Sequence, residues 1–65
     1  MNPIDLIKND DGTYTLEYFR RVIGHINSSL DFAGMRIFRA VSVEGNICYA
    51  STLEDARSSL LEMSR

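Results

Sequence analysis

Apolar residues between positions 15 and 33, TLEYFRRVIGHINSSLDFA, recur as Leu16, Phe19, Ile23, Ile26, Leu30 and Ala33, spaced by three or four throughout. At about 100° per residue, such spacing gathers side chains on one face of a helix. Val22 widens that face, while Glu17, Arg21, Gly24, His25 and Ser28 fall opposite. The pattern predicts a first helix with Thr15 as N-cap and Tyr14 and Phe19 as a hydrophobic staple. Glu17 would pair with Arg21 four residues on, and Gly34 would follow the last turn. A hairpin over residues 14–27 is the rival, suggested by the likeness of HINSSLDFA to YASTLEDA. It would place Arg20-Arg21 in a turn, where glycine or asparagine is preferred.

The flanking segments read differently. Ile4, Leu6 and Ile7 form a short apolar group that suits an edge strand or a single helical turn equally well, and Lys8-Asn9-Asp10-Asp11-Gly12 is a turn. Residues 35–50 are rich in β-branched and aromatic side chains on both sides of Glu44-Gly45, the signature of a β-hairpin. A two-residue loop there would set Val41 opposite Cys48 and Arg39 opposite Ala50. Strand alternation puts Ile37, Arg39, Val41 and Val43 on one face and Phe38, Ala40 and Ser42 on the other. In the last segment Ser51 and Glu54 have capping-box spacing. Leu53, Ala56, Leu60 and Met63 make its stripe with Leu61 alongside, Glu54 and Asp55 sit at its positive end, and Arg65 at its negative end. The expected fold is a small two-layer α+β domain spanning 1–65, a hairpin with an optional third N-terminal strand packed on two amphipathic helices, in the order (β)αββα.

Size and composition narrow the function. Sixty-five residues suffice for one small core, and no apolar run approaches the roughly 18 residues of a membrane-spanning helix. One cysteine and an N-terminus without a basic-then-apolar leader suggest a cytoplasmic protein. Nine acidic against seven basic residues, net −2, argue against direct nucleic-acid binding, which calls for a basic excess.

Candidate chemistry is sparse. The turn at Asp10-Asp11-Gly12 is no calcium loop, because aligning Gly12 with the loop glycine puts Ile7 and Tyr18 at essential ligand positions. A lone His25 and a lone Cys48 cannot assemble a zinc site, and Cys48 suits a small buried hydrophobe better than a nucleophile. The glycines stand singly, so no phosphate loop is present. No catalytic, metal or cofactor residue is therefore assigned.

Recognition is what remains. The composition suits a non-catalytic acidic protein-binding module, an inhibitor or adaptor that occupies a surface of a larger partner. Phage and mobile-element antagonists such as anti-CRISPR proteins offer an analogy of size and charge alone. Asp10, Asp11 and Glu44 are candidates for an acidic contact surface toward a basic, nucleic-acid-binding protein, and Phe38 and Tyr49 for an apolar one. Two apolar sheet faces also favour a homodimer through the hairpin. The alternative is a small nucleic-acid-binding regulator using Arg20, Arg21, Arg36 and Arg39.

Overall fold

The structure, a computed structural model, describes residues 3–31 and 33–63. Five strands, β1 (Ile4–Lys8), β2 (Tyr14–Tyr18), β3 (Arg21–Leu30), β4 (Arg36–Ser42) and β5 (Ile47–Ala50), precede one helix, α1 (Leu53–Met63). Each strand pairs antiparallel with the next, so the sheet is a meander in chain order, with β1 and β5 at its edges.

The expected first helix does not form. Residues 14–30 are a hairpin, and its turn is the pair Phe19-Arg20 between the opposed residues Tyr18 and Arg21. Thr15 and Glu17 are strand residues rather than a cap and half of a helical ion pair, and Gly34 closes a hairpin turn at φ 79°. The helical spacing has a structural cause in a β-bulge. Leu16 opposes Gly24 but Glu17 opposes Val22, which leaves Ile23 as an extra residue in β3. A bulge lets two successive residues lean to one side, so Ile23 and Ile26, three apart, are both buried. Phe19 and Leu30, the other large members of the apparent stripe, are 69% and 67% exposed.

Three of the four hairpins share one turn. In each, an amide–carbonyl bond spans four residues (Asn9 N–H to Thr13 O, Asp31 N–H to Met35 O, Ser42 N–H to Asn46 O), and the amide of Gly12, Gly34 or Gly45 donates back to the first of these residues. The first side chain then reinforces the loop: Asp31 Oδ1 accepts from the Ala33 and Met35 amides, and Ser42 Oγ from the Glu44 and Asn46 amides. All three glycines have positive φ, the bulge-forming position of a three-residue hairpin loop. The β4–β5 loop is therefore Val43-Glu44-Gly45, not Glu44-Gly45. The register shifts by one from expectation, with Val41 opposite Ile47, Arg39 opposite Tyr49, and Cys48 opposite Ala40.

α1 packs on β3, β4 and β5. Leu16, Ile23, Ile26 and Ala40 from the sheet meet Ala56 and Leu60 from the helix, with Leu6, Tyr14, Phe38, Leu53, Leu61 and Met63 around them. The apolar stripe read from the last segment is thus the packed face. Its cap lies one residue later than expected. The Asp55 amide donates to Thr52 Oγ1 at 3.1 Å, which makes Thr52, not Ser51, the N-cap. Arg65 lies outside the described residues.

Candidate protein-interaction surface

One helix can cover only one face of a five-stranded sheet, and the other face is left open. Across it runs the row Ile7, Thr15, His25, Val41 and Ile47, one residue from each strand. A second row holds Asn27, Arg39 and Tyr49. Asn9 Nδ2 donates to both Thr13 Oγ1 and Thr15 Oγ1 at 3.0 Å, and Thr15 Oγ1 lies 3.3 Å from His25 Nδ1. Thr13, His25, Asn27, Arg39 and Val41 line a shallow depression of about 280 Å³. Polar and apolar groups are interleaved here as at protein interfaces, where bulk hydrophobicity is no higher than on ordinary surface.

The face ends at β5, whose outer side is unpaired within the sheet. Ser42 donates its amide to Asn46, and antiparallel alternation then directs the backbone groups of Ile47 and Tyr49 away from β4, toward the open edge. Their side chains, 49% and 62% exposed, stand on the helix-free face. The Tyr49 carbonyl receives only a weak contact from the Cys48 thiol, at 3.8 Å.

The residues singled out from sequence are dispersed. Asp10 and Asp11 lie in the β1–β2 turn at one end of the strands, and Glu44 lies in the β4–β5 turn at the other. No single acidic surface can include all three. Asp11 Oδ1 accepts from the Thr13 amide at 3.0 Å and the Thr13 hydroxyl at 2.6 Å, and these bonds hold its carboxyl below the ordinary aspartate value of 3.8. Phe38 packs against the core on the helix side, so of these two only Tyr49 is presented to solvent. The arginines are no closer to a footprint, since Arg20 and Arg21 sit at one end of β3, Arg36 near its other end and Arg39 on the open face. Glu54 pairs with Arg57 at 2.7 Å within α1.

His25 and Cys48 are not brought together either. His25 belongs to the open-face row and Cys48 to the helix-side row through Ala40 and Ile26, so the sheet separates them. Among the described residues there is no group of three or more His, Cys, Asp or Glu side chains that could hold a metal ion. Nor is any described helix long and apolar enough to cross a membrane.

Sequence reasoning missed two features of this surface, Ile47 and the Phe19-Arg20 turn. The one-residue register shift concealed the first, and the lack of glycine or asparagine concealed the second. No family model, curated protein or solved structure matched the chain.

Proposed function

We propose that the chain is a non-catalytic protein-binding module, an inhibitor or adaptor, that takes an extended segment of a protein partner along β5. The observation that carries this reading is the coincidence at β5 of an open backbone edge with two exposed apolar side chains, Ile47 and Tyr49. Strand addition at such an edge draws affinity from main-chain hydrogen bonds and specificity from alternate side chains. The row that Ile47 shares with Val41 and His25 widens the footprint onto the open face.

The experiment is capture from source-cell lysate on the immobilised chain, followed by binding of each captured protein in purified form. The double variant Ile47→Pro with Tyr49→Ala removes one edge amide and the exposed ring. Loss of a purified partner on that variant, with binding retained by Glu62→Gln on the helix, is the expected result. Binding that is indifferent to the β5 variant disproves the reading. A second copy of the chain is the competing occupant, so light scattering at micromolar concentration accompanies the capture. A dimer abolished by the same substitutions would assign the edge to self-association instead.

A further inference from the structure

The β2–β3 connection departs from the other three. Gly12, Gly34 and Gly45 provide positive φ where those turns need it, at 86°, 79° and 94°. At the β2–β3 tip the same requirement falls on Phe19 at φ 51° and Arg20 at φ 65°. Positive φ at both central residues defines a tight two-residue hairpin turn for which Asn-Gly is the unstrained choice. Side chains with a Cβ are disfavoured in this region. Strain of this kind persists only where the surroundings over-determine it. Here the Phe19 amide donates to the Pro3 carbonyl at 2.8 Å, and the Tyr18 and Phe19 rings meet edge-to-face, with centroids 4.6 Å apart at 78°.

These contacts hold the Phe19 ring in place without burying it. Its 69% exposure is the highest among the large apolar side chains described, and Tyr18 beside it is 43% exposed. The Val43 amide donates to Ile23 O at 3.1 Å, which ties the start of the β4–β5 turn to β3 and leaves another apolar side chain, 63% exposed, at the same end of the sheet. Arg20 and Arg21 are also exposed, and neither is in an ion pair among the described residues. Aromatic and arginine side chains dominate the energetic centres of protein interfaces, and a ring fixed before binding loses little entropy on insertion.

We infer that the Phe19-Arg20 turn is an insertion element, its ring entering an apolar pocket of a protein partner while Arg20 and Arg21 meet carboxylates on the pocket rim. The inference rests on the reading of the chain as a protein-binding module and adds a second contact, with the partner's chemistry. A protein pocket fits better than a nucleic acid, because the tip leads with an apolar ring, and two arginines in a chain of net charge −2 do not make the basic stripe that phosphate contacts call for.

The test pans a display library of small folded domains with randomised surface clefts against the immobilised wild-type chain, the double variant Phe19→Asn with Arg20→Gly, and the β5 variant Ile47→Pro with Tyr49→Ala. Domains with an apolar cleft rimmed by Asp or Glu should be enriched on the wild type and bind at least tenfold more weakly to the tip variant. The thermal midpoint of the tip variant should rise, because Asn-Gly relieves the turn. Binders that survive the tip exchange but are lost on the β5 variant would overturn this inference and leave the module reading intact. Failure to enrich any such domain would overturn this inference, and displacement of the binders by a single-stranded oligonucleotide would overturn both. A lowered midpoint would show Phe19 to be a structural residue and would also overturn the inference.

Discussion

Leu60 of α1 lies directly on the backbone of Gly24 in β3. A Cβ at position 24 would stand 2.7 and 2.8 Å from the two Leu60 Cδ atoms and 2.6 Å from the Val41 carbonyl oxygen. Glycine is required there because the helix approaches closely and the adjacent strand cannot yield. Gly24→Ala should therefore destabilise the fold by about 1–3 kcal/mol despite the better strand propensity of alanine. In a Leu60→Ala background, itself destabilised by about 2–5 kcal/mol, Gly24→Ala should cost less than it does in the wild type but still something, since the Val41 carbonyl remains in place. A double-mutant cycle in urea checks this.

Ile26 and Leu30 separate the strand from the helix that their spacing suggests. Ile26 is fully buried and Leu30 is 67% exposed. Ile26→Ala should cost about 2–5 kcal/mol, and Leu30→Ala should stay within about 0.5 kcal/mol. A helical stripe would make both expensive. Denaturant midpoints of the two variants decide the matter.

Arg20→Gly by itself isolates the strain at the β2–β3 tip. Glycine accepts φ 65° without the steric penalty, so the variant should gain about 1 kcal/mol in chemical denaturation. Gly45→Ala, at φ 94° in a turn with open space around it, should lose stability for the converse reason.

Thr52→Ala removes the hydroxyl that accepts the Asp55 amide and should cost about 1 kcal/mol. Ser51→Ala should cost less than half as much. Thermal melts of the two variants locate the cap.

Asp11 gives a pH signature. Its carboxyl is held below the ordinary aspartate value of 3.8, first by the Thr13 hydroxyl and then by the Thr13 amide. The stabilisation is present above the unfolded value and lost as pH falls through the lower folded one. Thr13→Val removes the larger contribution, so the Asp11 titration midpoint should move up toward 3.8 while the amide bond keeps it slightly below. Carboxyl-carbon NMR measures the shift.

The C-terminal helix and the β4–β5 hairpin were legible because their signals are local. A cap, an i, i+4 stripe and a glycine between two β-rich runs act within a few residues. Even so, the cap moved from Ser51 to Thr52 and the hairpin slipped one residue, since a glycine at positive φ suits a three-residue loop as well as a two-residue one. The segment from Thr15 onward was decided by tertiary structure. Leu16, Ile23 and Ile26 are core residues both in the helix their spacing suggests and in the bulged hairpin that forms, so the spacing marked them for burial without showing which element buries them. A bulge at Ile23 gave a strand the spacing of a helix, and a turn without glycine or asparagine hid the hairpin. Both are affordable only because the sheet supplies what the local sequence lacks: pairing on both sides of β3, Leu60 seated over Gly24, and the Pro3 carbonyl holding the Phe19 amide. The surface has the same origin. Tyr49 was recognisable as an aromatic in a strand, but only the one-sided docking of α1 left its face open, and only the register of β4 with β5 placed Ile47 beside it.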